Sequence, residues 1–273
     1  MILASWRNIA WLIRRADVVL EVVDIRDPMA TMSRRLERLV RAMGRRLVVV
    51  LNKADLVPRS VAEAWVRLLR DRGYNAVYIA ARHRLGTRKL RKAIRMAVDT
   101  SPVVVAVVGF PKTGKSSVVN ALKGRHSAST SPVPGSPGYT HHSQLYRAPG
   151  GLYLIDTPGV IPVEGGGLEA ALRGRPPEEL RDPVGVAVKL LEKALRYNPR
   201  CVLDAYGIPD TDPYRILEAI ALRRGWRYKS TGEPLVEEAA RTVIRDYHRG
   251  KLLFYVPPWE AMAARSSRGG GAR

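Results

Sequence analysis

The feature that most constrains this chain is a strand that runs into a glycine-rich turn and then a helix. Val103 to Val108 form an almost wholly apolar run rich in β-branched residues, which indicates a strand buried on both faces. The run continues into Gly109-Phe-Pro-Lys-Thr-Gly-Lys-Ser116, and the pattern of Ser117 to Leu122 predicts a helix. This is the spacing of a P-loop. The alternative is a chance glycine turn before an amphipathic helix, and the flanking strand and helix argue against it. The motif therefore predicts a nucleoside triphosphate site.

The predicted P-loop gives each residue type a chemical task. Gly109 and Gly114 let backbone amides turn inward around a phosphate, where the amino end of the helix adds partial positive charge. Lys115 would reach the β- and γ-phosphates, and the Ser116 hydroxyl would bind Mg²⁺. The nucleotide-binding residues predicted on this segment are Gly109, Pro111, Lys112, Thr113, Gly114, Lys115, Ser116 and Ser117.

A second motif points to the base. A predicted strand over Arg46 to Leu51 leads straight into Asn52-Lys53-Ala54-Asp55. The Asp55 carboxylate can accept hydrogen bonds from guanine N1–H and the exocyclic amine, whereas adenine would leave it facing a lone pair. Asn52 would hold the loop, and the stem of Lys53 would lie over the ring. Alone this tetrapeptide is better interpreted as an exposed turn, but together with a P-loop it predicts guanine recognition.

A third loop follows the strand predicted over Tyr74 to Ala80. Small residues in Ala80-Ala81-Arg82 would let a backbone amide approach the guanine carbonyl oxygen. The helix predicted over Thr87 to Val98 then carries five basic residues on its outer side. We weigh two interpretations of that face equally, a solvated surface and an RNA contact.

Beyond the P-loop the chain offers residues for the γ-phosphate. Residues 123–139 are rich in Ser, Pro and Gly and end at Thr140, a candidate second hydroxyl for Mg²⁺. A hairpin is predicted over Gln144 to Ala148 and Leu152 to Thr157. Its second arm ends in Asp156-Thr-Pro-Gly159, where Asp156 would hold Mg²⁺ through a water and the Gly159 amide would contact the γ-phosphate.

Composition indicates a polyanionic partner. The formal net charge is +21, and residues 1–159 hold 27 basic against 10 acidic residues. Charge that serves only solubility is the alternative.

Cys201 is the only cysteine, which excludes an internal disulfide and predicts a buried small residue. No apolar run approaches membrane-spanning length and no signal peptide is evident, so we expect a cytoplasmic protein without membrane contact.

The last part of the chain predicts a small helical domain. Residues 161–182 are rich in Gly and Pro, which indicates a second switch and a linker. Apolar residues then recur at helical spacing over Val184 to Tyr197, Pro213 to Arg224 and Leu235 to Arg249. Scattered Lys and Arg give these helices a basic face at best.

The order of these motifs resembles one family. The guanine loop, base-contact loop, P-loop, switch threonine and Asp-Thr-Pro-Gly segment follow one another, whereas ordinary GTPases begin with the P-loop. The chain thereby resembles the YlqF/YawG family, the circularly permuted GTPases of ribosome assembly. The resemblance rests on Asp24 to Pro28, Asn52 to Asp55, Gly109 to Ser117, Pro137 to Thr140 and Asp156 to Gly159.

The resemblance implies an α/β fold, a circularly permuted P-loop GTPase domain with a six-stranded, mostly parallel sheet, followed by a small all-α domain. The implied segments are 1–165 for the GTPase domain with its N-terminal helix, 166–183 for switch II and linker, 184–257 for a helical RNA-binding domain and 258–273 for a disordered basic tail. It implies a monomeric factor that binds GTP/GDP and Mg²⁺, hydrolyses GTP and docks on ribosomal RNA of a large ribosomal subunit precursor.

Intrinsic hydrolysis is expected to be slow and stimulated by the particle. Val160 stands where Ras-type GTPases have the glutamine that orients the attacking water. His141 and His142 are either exposed loop residues or groups that reach the γ-phosphate in an activated complex. The predicted catalytic residues are Lys115, Thr140, Gly159, His141 and His142, and the predicted metal-binding residues are Ser116, Thr140 and Asp156.

Two departures from the family limit the comparison. Lys112 stands where the family has an asparagine that helps hold K⁺, and we hypothesise that its ammonium replaces that cation; a side chain that points into solvent is equally compatible with the sequence. No histidine precedes Ala16, so a role for an N-terminal histidine does not carry over.

Two other functions stay open at this point. One is a GTP-dependent RNA-binding scaffold whose nucleotide site is structural. The other is an RNA-modification or translation GTPase that acts on tRNA.

Overall fold

A computed structural model describes residues 5–124, 129–130, 144–156, 159–163 and 167–261. The chain divides into two compact units. One contains the described residues up to Pro162 together with those from Pro257 onward, and the other contains residues 163–256. We call them the sheet unit and the helical unit. In these ranges, no helix combines the length and the apolar character needed to cross a bilayer.

One mixed sheet forms the centre of the sheet unit. Its order is β3-β2-β1-β4-β7-β6-β5, with β8 paired to β4 beyond the end of β7. The pairs are parallel except β5 with β6 and β6 with β7. The strands are β1 (Val18–Asp24), β2 (Arg46–Asn52), β3 (Asn75–Tyr78), β4 (Val103–Gly109), β5 (Ser129–Thr130), β6 (Gln144–Ala148), β7 (Leu152–Asp156) and β8 (Gly159–Val160).

Among the described residues, all six predicted strands are present and the sheet has two more. The additional strands, β5 and β8, contain two residues each. A strand of that length has no alternation of apolar and polar side chains, so the sequence pattern could not predict it.

Helices cover both faces of the sheet. Leu90 of α5 and Leu122 of α6 pack with Leu20 on one face, whereas Ile9 of α1 and Leu36 of α3 belong to the core on the other face. Because both faces are covered, every residue of β1 is buried. The helices of this unit are α1 (Trp6–Arg15), α2 (Pro28–Thr31), α3 (Arg34–Ala42), α4 (Arg59–Asp71), α5 (Thr87–Met96) and α6 (Lys115–Lys123).

Helix α4 was not predicted, although its sequence carries the signal. Val61, Trp65 and Leu69 recur every four residues and are all buried. This is the spacing of one helix face, and here it packs α4 beside the edge strand β3.

The chain path places the loops that follow β1, β2, β3 and β4 at one edge of the sheet. The chain moves outward from β1 to β2 and β3, and α5 then returns it to β4 on the other side of β1. This reversal is a topological switch point, where ligands bind at the carboxyl ends of parallel strands. The backbone topology alone therefore predicts that the candidate site lies at this edge of the sheet.

In the described part of the helical unit, the three predicted helices are present together with two further ones. Asp182 and Asp212 cap α8 and α10, each followed by a proline at the first helical position. Leu172 of α7, which lies in the segment predicted as switch II and linker, packs in the core of this unit. Cys201 is buried there, as predicted. The helices are α7 (Leu168–Gly174), α8 (Pro183–Tyr197), α9 (Cys201–Tyr206), α10 (Pro213–Arg223) and α11 (Val236–Arg249).

Glu21 is an unusual residue in the middle of the sheet. It is fully buried in β1, and its Oε1 accepts a 2.6 Å hydrogen bond from the Ser33 amide at the start of α3. Its Oε2 has no hydrogen-bond partner among the described residues. The pKa of Glu21 is raised from 4.5 to about 8, chiefly by burial; the Ser33 hydrogen bond lowers it and the charge of Glu37 adds to the rise. Glu21 is therefore protonated in the folded protein at neutral pH.

A Glu21→Gln variant tests this assignment. Between pH 4.5 and about 8 the folded protein holds a proton that the unfolded chain lacks, so the contribution of Glu21 to stability falls as pH rises through this range. Glutamine imitates the protonated acid and does not titrate. We expect the two proteins to have similar free energies of unfolding at pH 5, and the variant to be more stable by at least about 1 kcal/mol at pH 9. Denaturant unfolding at several pH values measures this, and a pH-independent difference would contradict it.

Candidate nucleotide-binding site

The P-loop is closely packed against the neighbouring strands. Gly109 ends β4 with φ 153°, and Gly114 precedes α6 with φ 94°. A Cβ atom at Gly109 would collide with the Val22 carbonyl of β1, and one at Gly114 would collide with the Asn52 side-chain amide. Both positions thus require glycine for their conformation and for their close approach to neighbouring atoms.

The loop leads into the amino end of a nine-residue helix, α6. The Lys115 ammonium donates a 2.7 Å hydrogen bond to the Phe110 carbonyl, and the buried Thr113 hydroxyl donates to the same oxygen at 3.0 Å. Ser116 lies in the first turn with an exposed side chain. A loop with a glycine at each end that has no room for a Cβ, followed by the amino end of a helix and a lysine, fits a phosphate chain.

The Asn52 side chain connects three loops of the site. Its Nδ2 donates to the Thr113 carbonyl at 2.9 Å and lies 3.5 Å from the Gly114 carbonyl. Its Oδ1 accepts from the Ala81 amide at 3.1 Å. Asn52 is 2% exposed, so water does not compete for these bonds. One side chain therefore fixes the predicted guanine loop, base-contact loop and P-loop relative to one another.

A buried ion cluster holds the next residue of the guanine loop. Lys53 has a left-handed backbone, and its ammonium donates to the Asp24 carboxylate at 2.8 Å. Asp24 also accepts two hydrogen bonds from the Arg26 guanidinium, at 3.0 and 2.8 Å, and one from the Arg26 amide at 3.2 Å, and both side chains are fully buried. The Ile25 amide donates to the Asn52 carbonyl at 3.0 Å. The turn after β1 thus supports the guanine loop.

Asp55 and the base-contact loop lie together. The Asp55 carboxylate is 3.6 Å from His83 Nε2, and its side chain is 29% exposed. It is therefore accessible to a ligand. The Ala80 and Ala81 amides donate to Leu85 and Asn52, so a guanine contact by either amide would share its hydrogen with a protein acceptor.

The predicted γ-phosphate loop returns to the P-loop strand. Gly159 and Val160 of β8 pair with Val108 and Gly109, and the Ile161 amide donates to the Gly109 carbonyl at 3.0 Å. A Cβ at Gly159 would collide with the Val107 carbonyl. The backbone of Asp156 ends β7, the strand beside β4. Ser116 lies in the first turn of the helix that follows β4, and Asp156 ends the strand that pairs with β4. The role of both residues at Mg²⁺ stays a prediction.

Some predicted site residues lie outside the described part of the chain. These are Thr140, His141 and His142, and for Asp156 only the backbone is described. In the described ranges, no three His, Cys, Asp or Glu side chains converge as a metal cage. Because Mg²⁺ at a nucleotide uses phosphate oxygens and water with one or two side chains, such a cage is not required.

Asp24 and Arg26 are not among the site residues predicted from the sequence. Their segment, Asp24 to Pro28, enters there only as part of the family resemblance. A signal was available, because an acidic residue that ends the strand neighbouring β2 comes close to the start of the guanine loop. The register confirms this position by pairing Asp24 with Asn52.

The chain matches a known protein family. The family described as RsgA GTPase matches residues 7–164, which is more than half of the 273 residues. The matched range contains the P-loop, the guanine loop and the γ-phosphate loop.

Curated relatives align with nearly the whole chain. It is 34% identical over 251 residues to an uncharacterized GTP-binding protein of Methanocaldococcus jannaschii, with 89% of this chain and 65% of the relative covered. It is 32% identical over 262 residues to nucleolar GTP-binding protein 2 of Neurospora crassa, with 92% of this chain and 41% of the relative covered. The chain thus spans less than two thirds of the length of these relatives.

Solved structures share the fold. The GNP-bound crystal structure of YlqF from T. maritima matches with a TM-score of 0.65 at 23% identity, over 93% of this chain and 98% of that one. A GDP-bound YlqF structure matches with a TM-score of 0.62 at the same identity, over 93% and 100%. These likenesses confirm the predicted permuted α/β fold with its C-terminal helices.

An Asn52→Ala variant tests the bridge between the loops. The substitution leaves the Thr113 carbonyl and the Ala81 amide without their buried partner, which lowers the free energy of unfolding by about 1–3 kcal/mol. The loops lose their fixed separation, and we expect affinity for fluorescent mant-GDP to fall at least about tenfold at a temperature where the variant is folded. Asn8→Ala, at an exposed position of α1, is the matched control. Unchanged affinity in a destabilised Asn52→Ala protein would contradict the assignment.

Proposed function

The chain belongs to the RsgA GTPase family, and we propose that it binds GTP and hydrolyses it to GDP and phosphate. The observation that carries the proposal is the Asn52 bridge, which joins the guanine loop to the P-loop through the Thr113 carbonyl. A single nucleotide can then contact both loops, with its base at one and its phosphates at the other.

The base is read by Asp55, whose carboxylate matches the two donors on the edge of guanine. Lys53 supports it, because its ammonium is held by Asp24 and its aliphatic stem is thereby kept beside the loop. Base selection thus depends on the partly exposed Asp55 and on buried residues that position its loop.

The phosphates are held by the P-loop amides, the amino end of α6 and Lys115. On binding, the Lys115 ammonium would exchange the Phe110 carbonyl for phosphate oxygens, which are stronger acceptors. Ser116, Thr140 and, through water, Asp156 would hold Mg²⁺. When bound, that ion supplies positive charge to the β- and γ-phosphate oxygens.

Hydrolysis transfers the γ-phosphoryl group to a water molecule in line with the leaving GDP. Lys115 and the loop amides stabilise the negative charge that develops on the phosphate oxygens. Val160 offers no side-chain hydrogen bond to the water, so unassisted turnover is slow. We propose that a docked partner completes the site, with His141 or His142 as the candidate groups that approach the γ-phosphate.

The partner we propose is ribosomal RNA in a large ribosomal subunit precursor. Three observations support it: the net charge of +21, the motif order shared with ribosome-assembly GTPases, and a relative named as nucleolar. The chain leaves β8 at Val160 and enters the helical unit at residue 163. Loss of the γ-phosphate releases switch contacts in GTPases, so we propose that hydrolysis is signalled directly to the helical unit and releases the particle.

An Asp55→Asn variant tests guanine recognition. The asparagine amide no longer accepts from N1–H and the exocyclic amine, but it can donate to the extra carbonyl of xanthine. We expect affinity for GTP to fall at least about 100-fold while xanthosine triphosphate becomes the preferred ligand. Competition against mant-GDP measures both affinities, with Asp71→Asn at an exposed position of α4 as control. Equal loss of both nucleotides would contradict the role of Asp55.

Turnover with ribosomal particles tests the partner. We expect isolated large subunits to raise the GTP turnover rate at least about tenfold, since a partner supplies what Val160 cannot, and small subunits to leave it unchanged. Sedimentation should show association with large subunits in a GTP analogue and release in GDP. Stimulation by tRNA instead would favour a translation or RNA-modification GTPase. Association without any turnover would favour a scaffold.

A further inference from the structure

Two basic grooves flank α5 on the surface of the sheet unit. The α4/α5 groove, about 780 Å³, lies between these helices over the edge strand β3. The α5/α6 groove, about 560 Å³, lies between the start of α5 and the end of α6. Lys89 lines both, so α5 forms a ridge between them. The basic residues are Arg67, Arg70, Lys89 and Lys92 in the first groove, and Arg84, Arg88, Lys89 and Arg91 in the second.

Acidic residues do little to cancel this charge. Helix α5 contains no acidic residue, and neither do the residues that line the α5/α6 groove. Glu63 is the acidic residue that lines the α4/α5 groove, and Arg59, four residues earlier in α4, binds it at 2.8 Å. Within the described ranges, the basic side chains of α5 form no ion pair. The ridge therefore keeps a local excess of positive charge.

Several of these side chains are held in place by neutral groups. Arg70 donates through two nitrogens to the Ala76 carbonyl on the outer edge of β3, at 3.2 and 3.1 Å. Arg91 donates to the Leu122 carbonyl at 3.0 Å, and the Lys89 ammonium lies 5.4 Å from the centre of the Tyr78 ring. Carbonyls and aromatic rings orient a cation without neutralising it. These cations are ordered and still available to an anion.

The helical unit, in contrast, has little excess of positive charge. Residues 163–256 contain 16 basic and 14 acidic residues, a net charge of +2, which leaves +19 of the total +21 to the rest of the chain. Carboxylates hold several of its cations, while Arg223 is held by the Tyr206 and Gly207 carbonyls. Arg241 binds Glu237 and Glu238, Arg245 binds Glu178, and Lys193 binds Glu169. An RNA backbone would have to compete with these carboxylates.

We propose that the α5 ridge and its two grooves are the surface on which this protein binds the RNA phosphate backbone. The inference deepens the proposed function, on which it rests, and assigns RNA docking to the sheet unit rather than to the helical unit. The ridge is α5 itself, which is the helix that directly follows the base-contact loop. A bound RNA strand is thus connected to the nucleotide site through one element.

The arrangement favours a phosphate backbone over an acidic protein. Arg88, Lys92 and Arg95 recur at i, i+4 and i+7 on the exposed side of α5, which aligns their charges over about 10 Å of helix. Cations on both sides of the ridge extend this row across the surface. A continuous polyanion matches such a row, and its binding releases counterions in proportion to the phosphates contacted. We therefore expect strong salt dependence and little sequence preference.

The experiment uses the full chain loaded with a GTP analogue and a fluorescein-labelled single-stranded RNA of about 20 nucleotides, measured by anisotropy between about 50 and about 200 mM KCl. The test variant is Lys89→Ala with Lys92→Ala. The matched control is Lys189→Ala with Lys229→Ala, which removes the same charge from exposed positions of the helical unit. Alanine suits the helix positions of Lys89, Lys92 and Lys189, and Lys229 is exposed in a turn, so both variants should fold. Mant-GDP affinity checks the nucleotide site of each.

We expect the test variant to lose about tenfold in RNA affinity at low salt, and the slope of log K against log salt to become shallower by about 1.4, or about 0.7 for each lost phosphate contact. The control variant should keep both the RNA affinity and the salt slope of the unmodified protein. An equal or larger loss in the control would overturn the proposal in favour of the helical unit. Competition by a polyglutamate peptide as strong as that by RNA would overturn it in favour of an acidic protein. A chain that binds RNA through the ridge but not mant-GDP would refute the proposed GTPase function and leave the ridge assignment standing.

Discussion

The structure depends on the buried amide of Asn52. A nucleotide site made from separate loops works only if the loops keep a fixed distance, since a nucleotide has a fixed length. Here the Asn52 side chain donates to the P-loop and accepts from the base-contact loop, while its own backbone ends β2. Gly114 has no room for a side chain because Asn52 lies against it. The requirement for glycine in the P-loop therefore comes partly from a residue that lies far before it in the chain, on a different strand.

This dependence also explains why the permuted order of the chain does not disturb the site. The loops are assembled at one edge of the sheet by strand pairing, and the register of β1 with β2 and β4 sets their relative heights. Which loop comes first in the chain does not enter these interactions. The permutation changes only the element to which the γ-phosphate loop is joined. After β8 the chain proceeds to the helical unit, so a change at that loop has a short covalent path to a second body.

Most of the fold and the outline of the site could be predicted from the sequence, because the strands are apolar and each of the main loops carries a recognisable motif. The missing elements have physical reasons. β5 and β8 are too short for a pattern, and α7 lies in a segment whose glycines and prolines suggest a linker. The Asp24–Arg26–Lys53 cluster needs three-dimensional proximity between two turns. Glu21 in the middle of an apolar strand is visible in the sequence, but its raised pKa results from complete burial beneath α3.

The positions of the charged side chains indicate which cations are available to a polyanion, and the composition alone does not. A net charge counts all cations equally, whereas a polyanion responds only to those whose field is not cancelled nearby. In the helical unit, Arg241 and Arg245 are bound by carboxylates and contribute little. In the sheet unit, Arg70 and Arg91 are bound by carbonyls and keep their charge. Two arginines with equal formal charge thus differ in what they offer a polyanion, and the difference lies in the acceptor that holds each one. Arg223 of the helical unit is also held by carbonyls, but the net charge of that unit is only +2. The proposed RNA contact is therefore placed on the helix that continues from the base-contact loop.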